Sequence, residues 1–255
     1  MSLFYLTNLL HLNCKSVPTK KRNSFAASFG FSKFENSLMA DRFGKYLNEM
    51  NQVSVREEDG AKLVDQVSDK TATVLLDPTM LLTGAEWEKM MVAPKVNLPE
   101  KFVVTYFLGK EISKYRALIE KISEIKGVPI IRLNDINFPE YYELSPAEFL
   151  YILNKSEFTL TDSFHGTVFS ILFKNSFFVL PRVDLSVDMS SRITTLLNRF
   201  GLEDCTSQDV DNLDISVLME SIDFNGAKEV LNLNPNCKNK LAGVLRHSQE
   251  QPVIL

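Results

Sequence analysis

The sequence predicts an α/β protein built on parallel sheets. Short apolar runs rich in β-branched and aromatic residues alternate with segments of helical periodicity, and this strand–helix alternation is the pattern of parallel sheets. The apolar runs also end on turn residues, such as Gly30, Pro78 and Pro181. The composition agrees: 255 residues, 28 Lys+Arg against 32 Asp+Glu, a net charge of -4, 45% hydrophobic and 24% charged residues. These values exclude wholesale disorder, a collagenous repeat and a polybasic nucleic-acid binder. The length allows one large domain or two small ones.

In chain order, Phe25 to Phe29 (FAASF) reads as a short strand, and Leu38 to Met50 as a helix with Leu38, Phe43, Tyr46, Leu47 and Met50 at helical spacing. Gln52 to Arg56 is the next strand, Glu58 to Val67 a helix, and Thr73 to Asp77 a buried strand closed by Pro78. Residues 1–82 thus form a first unit. Residues 83–100 read as a linker, with a helical turn at Glu86 to Met91 holding Trp87, and with Pro94 and Pro99 as breakers. A second unit, residues 101–204, runs through the strand Phe102 to Leu108, the helix Ile112 to Lys126 and the strand Pro129 to Leu133. An aromatic loop, Asp135 to Leu144, follows. It fits a core plug better than a sugar-stacking surface. Ser145 caps a helix begun by Pro146. Phe158 to Thr161 is a strand, a helix starts near Ser163, Phe177 to Leu180 is a strand, and Ser190 to Phe200 is a helix stopped by Gly201. Residues 205–255 are read as helices: Leu213 to Phe224, Ala227 to Leu231 and Cys237 to His247.

The charge is unevenly spread. Residues 1–34 hold Lys15, Lys20, Lys21, Arg22 and Lys33 and no Asp or Glu. The apolar opening, Leu3 to Leu12, lacks preceding basic residues and a small-residue cleavage site, and is too short for a membrane span. The basic start is the one candidate for peripheral membrane contact. Cys14, Cys205 and Cys237 are odd in number and far apart, the pattern of three reduced thiols in a cytoplasmic protein rather than a disulfide or zinc framework. No metal-ligand cluster stands out.

The polar turn Thr161-Asp162-Ser163-Phe164-His165-Gly166-Thr167 lies between two apolar runs, in the stretch FTLTDSFHGTVFSILFKNSFFVLP. In open α/β sheets ligands bind at the carboxyl ends of strands, and a helix N-terminus there suits phosphate. Ser163 and Thr167 add hydroxyls, and Gly166 permits close approach. Helix capping alone also explains Asp162 and Ser163. It does not explain His165, because a protonated ring in the first turn opposes the helix dipole. His11 and His247 read as solvated side chains. A serine hydrolase lacks its G-x-S-x-G, and neither G-x-G-x-x-G nor a P-loop is present. Arg56, Arg182 and Arg192 are candidate donor-binding cations, each just after a strand or at a helix start. Glu57 and Glu58 read most simply as exposed helix-start carboxylates.

TDSFHGTVFSILFKNSFFVLPR (Thr161 to Arg182) resembles the hallmark segment of the polysaccharide pyruvyl transferase family. FAASFG, VSVREEDG, LLDPTMLLTGAEWEKM and SSRITTLLNRFGLED are similar to further family segments in the same order, so the resemblance runs from about Phe25 to Asp204. It implies a glycosyltransferase-B-like architecture of two Rossmann-like units, the first incomplete because full-length members carry a further strand–helix portion before FAASFG. It implies transfer of pyruvyl from phosphoenolpyruvate to two hydroxyls of a saccharide or lipid-linked oligosaccharide, forming a ketal on a cell-surface glycan, without a cofactor or metal. His165 would be the catalytic acid or base, with Gly166 and Thr167 near phosphate. Some members carry an arginine where this chain has Ser163. The same architecture also fits a nucleotide-sugar glycosyltransferase, and a shortened chain fits an inactive fragment that binds a glycan or partner.

Overall fold

The computed structural model describes residues 18–183 and 190–226. The chain divides into two compact units. Of the described residues, 18–81 and 190–199 belong to the first, and 82–183 and 200–226 to the second. Both are α/β with parallel sheets.

In the first unit, β1 (Ser54–Val55) pairs in parallel with β2 (Thr73–Val74), and the intervening α2 (Glu58–Val67) packs on both. The helix α1 (Ser37–Asn48) precedes β1 and is capped by the Asn36 side chain, which accepts from the Met39 N–H at 2.9 Å. Its apolar spacing buries Phe43 and Leu47 with Phe29, Val55, Leu63 and Val64 in one core. Phe31 and Phe34 pack edge-on and tilted against Phe29 and Phe43. The FAASF segment departs from the expected continuous strand. It meets β1 and its flank only as single parallel bridges, Asn23 to Gln52 and Ala27 to Val55. Ala26 has a left-handed φ of 46° between them, a conformation that breaks extended pairing. Side chains supplement the backbone bonds of those bridges. The Ser54 hydroxyl donates to the Ser24 carbonyl at 2.6 Å, and the Ser24 hydroxyl to the Ser54 carbonyl at 3.0 Å. Within the same unit, the Thr195 hydroxyl oxygen of the helix α8 (Ser191–Phe200) accepts from the Glu58 N–H at 3.2 Å.

The second unit carries a four-stranded, all-parallel sheet in the order β4-β3-β5-β6, with β3 Val103–Tyr106, β4 Ile130–Leu133, β5 Phe158–Thr161 and β6 Phe177–Val179. The chain runs outward from β3 to β4, then returns to place β5 on the other side of β3, so the strand order reverses between β3 and β5. That reversal is the switch point at which such sheets bind ligands. The helix α4 (Ser113–Lys126) links β3 to β4 and ends on Gly127 with a left-handed φ of 66°. The helix α6 (Pro146–Lys155) opens with a full capping box, the Ser145 oxygen accepting from the Glu148 N–H and the Glu148 carboxylate from the Ser145 N–H. The helix α7 (Phe164–Phe173) links β5 to β6, and Val168, Phe169, Ile171 and Leu172 are all buried. It needs apolar residues on every face because it packs against the sheet, α6 and a short helix, α3 (Gly84–Glu88).

The helix α3 starts two residues ahead of the expected turn, because Thr83 and Glu86 form a second capping box. Trp87 sets its ring edge-on to Phe169 at 5.3 Å between centroids. The expected aromatic loop contains a short helix, α5 (Pro139–Tyr142), and is not a core plug: Pro139 and Tyr142 are exposed and Phe138 and Tyr141 only partly buried. The helix expected at 213–224 is limited to α9 (Ile215–Met219). The helices expected at 227–231 and 237–247 lie outside the described residues. No described helix is long and apolar enough to cross a membrane.

Gly84 is required by close approach, since a Cβ there would sit 2.4 Å from the Leu172 carbonyl oxygen. Gly84→Ala is therefore expected to push α3 from α7 and lower stability by about 1–3 kcal/mol in urea unfolding, as overpacking does.

Candidate functional site

The turn after β5 lies at the strand-order reversal and is tied to the end of β3 by a network of hydrogen bonds. Asp162 is 3% exposed. One of its carboxylate oxygens accepts from the Leu108 N–H at 2.7 Å and the other from the Gly109 N–H at 2.8 Å. The Arg182 Nε stands 3.4 Å from the second oxygen, and the Arg182 Nη2 donates to the Asp162 carbonyl at 3.0 Å. Thr161 adds a second tie: its hydroxyl donates to the Tyr106 carbonyl at 2.6 Å while accepting from the Ser163 N–H at 3.0 Å. The Tyr115 hydroxyl holds the following strand end by donating to the Pro181 carbonyl at 2.7 Å. Burial, then the nearby Asp162 charge, raises the Tyr106 phenol above its ordinary value, against the pull of Arg182.

Ser163 is the N-cap of α7, its oxygen accepting from the Gly166 N–H at 3.3 Å. The Thr167 N–H and hydroxyl both donate to the Ser163 carbonyl, each at 3.0 Å. Gly166 packs on Thr161, where a Cβ would come within 2.6 Å of the Thr161 hydroxyl oxygen. Ser163, Gly166 and Thr167 therefore close the turn on itself. His165 stands out from its neighbours: Phe164, Gly166 and Thr167 are buried, whereas His165 is part-exposed on the first helical turn, its ring edge-on to Phe164 at 5.5 Å.

Of the three expected cations, Arg182 shares a unit with His165. Arg56 and Arg192 lie in the first unit and are 7% and 4% exposed. Arg56 forms a buried ion pair with Asp77, and Asp77 also accepts from the N–H and hydroxyl of Thr79. Glu57, expected at the surface, is 2% exposed. It accepts from the Phe29 N–H at 2.7 Å and the Ser28 hydroxyl at 3.0 Å. Burial lifts its carboxyl above the ordinary 4.5, opposed by those two hydrogen bonds and by Arg56 and Arg192. Glu58 is exposed, as expected.

Sequence reasoning missed Asp162 as a tether and Asp77 and Glu57 as partners of the arginines. The available signal was their position, one to three residues beyond a strand's end and directly after a buried residue, where a charge needs a partner. Among the described residues no group of three or more His, Cys, Asp or Glu is placed to hold a metal ion. Cys205 is a buried free thiol, pushed up to about 11 by burial and by Asp204. Cys14, Cys237, His11 and His247 lie outside the described residues.

The model of the polysaccharide pyruvyl transferase family matches residues 2–182, well over half of the chain. The chain belongs to that family. The matched span begins ahead of the FAASFG segment, ends on Arg182, and contains β1 to β6 with the His165 turn. As a member of the polysaccharide pyruvyl transferase family the chain falls in a class of transferases. SSRITTLLNRFGLED lies beyond the matched span. No curated protein matches the sequence.

Two predictions follow from the buried charges. Asp162→Ala removes the acceptor of two backbone N–H groups and the buried charge beside Arg182, and is expected to cost about 3–5 kcal/mol in urea unfolding. Asp162→Asn, which keeps one acceptor, should cost less. For Glu57, the raised folded-state value means that folding favours the protonated acid. Its contribution is therefore full below the unfolded carboxyl's pKa and is lost as pH rises through the folded value. Glu57→Gln removes this titration and keeps an acceptor for the Phe29 N–H. The stability of the native chain relative to Glu57→Gln should fall from acid to neutral pH, and a flat or rising difference would contradict the assignment.

Proposed function

We propose that the protein transfers the pyruvyl group of phosphoenolpyruvate to two hydroxyls of a saccharide, closing a cyclic ketal. The observation that carries this reading is His165: a part-exposed imidazole on the first turn of α7, at the carboxyl end of β5, inside the span that the family model matches. An imidazole both donates and accepts a proton near neutral pH, which suits enol chemistry.

In this mechanism the protonated His165 gives its proton to the methylene carbon of the enol, and cationic character develops at the adjacent carbon. A saccharide hydroxyl attacks there and loses its proton. The C–O bond to phosphate breaks, phosphate leaves, and the second hydroxyl closes the ketal, its proton passing to phosphate or solvent. The donor's carboxylate and phosphate need a cation with fork geometry. Arg182 supplies it from the strand end beside the turn, and the N-terminus of α7 adds the positive end of a ten-residue helix. Ser163, Gly166 and Thr167 serve by fixing the turn that faces the phosphate. Arg56 and Arg192, held with Asp77 and Glu57, take no chemical step. The two parallel-sheet units are read as the halves of a glycosyltransferase-B-like architecture acting on a cell-surface glycan.

His165→Ala is expected to lower pyruvyl transfer by about 10²- to 10⁴-fold, the usual worth of a positioned acid–base group, while phosphoenolpyruvate still raises the melting temperature. Undiminished turnover would remove His165 from the chemistry. Stabilisation by uridine or guanosine diphosphate sugars, with none by phosphoenolpyruvate, would replace the reading with nucleotide-sugar transfer.

A further inference from the structure

A cavity of about 490 Å³ opens in the second unit at the carboxyl ends of β3 and β4, on the same sheet edge as the His165 turn. Its volume falls within the range of small-molecule sites. We propose that this cavity is a subsite for a neutral sugar ring of the acceptor. The proposal rests on the pyruvyl-transfer reading for its biological role, though not for the binding itself.

Three observations carry it. The first is charge. Glu111 is held by both guanidinium groups of the wall, by Arg132 Nη1 at 2.6 Å and by Arg116 Nε at 3.1 Å. Asp135 brings a second carboxylate, so the two cations meet two anions. A wall that cancels its own charge is a poor site for the polyanionic donor and a good one for an uncharged, hydroxyl-rich ligand. The second is hydrogen-bond chemistry. Asn134 sits in a left-handed conformation, φ 62°, and its Nδ2 donates to the Phe107 carbonyl at 2.8 Å. That bond fixes the amide plane and commits one of its two N–H donors. Asp135 is fixed likewise by the N–H and amide of Asn137 at 2.9 and 2.8 Å. Planar amide, carboxylate and guanidinium groups held rigid are suited to paired hydroxyls. The third is an aromatic face. Tyr142 lines the cavity and is 50% exposed, although a large ring gains by burial. A sugar ring presents an apolar C–H face that would cover it.

The cavity is also joined to the catalytic turn. Phe107 and Gly109 line it, and Gly109 is one of the two residues whose N–H groups Asp162 holds. A ring bound here is therefore held against the loop that the His165 turn is tied to.

The test is ligand-observed saturation-transfer NMR on the full chain with methyl glycosides of glucose, galactose, mannose, N-acetylglucosamine and N-acetylmannosamine. Tyr142→Ala and Asn134→Gly are run alongside, the glycine chosen because it keeps the left-handed backbone. At least one glycoside is expected to bind the native chain, and both variants should weaken it by about tenfold at an unchanged melting temperature. No binding by any of the five, or binding that both variants leave intact, overturns the subsite. Phosphoenolpyruvate binding, read on the same samples, separates the two claims. If it fails in the native chain, the donor assignment falls and the glycoside result stands. If it holds while no glycoside binds, the subsite alone falls.

Discussion

The second unit depends on one carboxylate. Asp162 sits where the strand order reverses and receives two consecutive backbone N–H groups from the loop after β3, with the Arg182 guanidinium beside it. Any parallel sheet with this order opens a crevice between the loops of its first and third strands. Left alone, those loops would expose unpaired backbone donors and move independently. Charge-assisted hydrogen bonds to a buried carboxylate satisfy the donors and join the loops into one body. The α7 N-terminus, with His165 on its first turn, starts from that body. A proton donor is useful only if it is held near the atom it serves, so in the proposed transfer the tether would serve the chemistry as well as the fold.

The first unit solves the same problem with different residues. At the carboxyl end of β1, Arg56 and Glu57 are both buried, Arg56 paired with Asp77 and Glu57 bonded to Ser28 and Phe29. Arg192 is buried near Glu57 as well. Charges cost much to bury alone and far less when compensated, which is why these four residues share one place. A strand end with this density of charge reads as a ligand site in sequence. In the structure, Arg56 pairs with Asp77, and Glu57 is bonded to Ser28 and Phe29 with Arg192 nearby.

Periodicity located most elements because the apolar residues at helical and strand spacing do the packing. α2, α4 and α6 follow the sequence reading to within a residue or so, and the capping residues Ser145 and Ser163 were visible as such. The misreadings have local causes. The strand at FAASF is broken by the left-handed Ala26, which no pattern of apolar residues announces, and hydroxyls of Ser24 and Ser54 supplement the two remaining bridges. The aromatic loop was read as a plug from composition, whereas Tyr142 is exposed. For the site, the sequence pointed to the His165 turn through its polarity between two apolar runs. It could not reveal that Ser163, Gly166 and Thr167 bond mainly to the turn itself, or that Arg56 is matched by Asp77, twenty-one residues away. Those facts depend on which strands are neighbours, and strand order is not written in local spacing.

In the proposed transfer, a tethered turn delivers a proton to the methylene carbon of an enol donor. Running the transfer in deuterium oxide and measuring the mass of the ketal methyl group tests it directly. Delivery of an exchangeable proton by His165 predicts one deuteron in each transferred pyruvyl group. A methyl group free of deuterium, or no ketal formed from phosphoenolpyruvate by the folded chain and a saccharide acceptor, would contradict it.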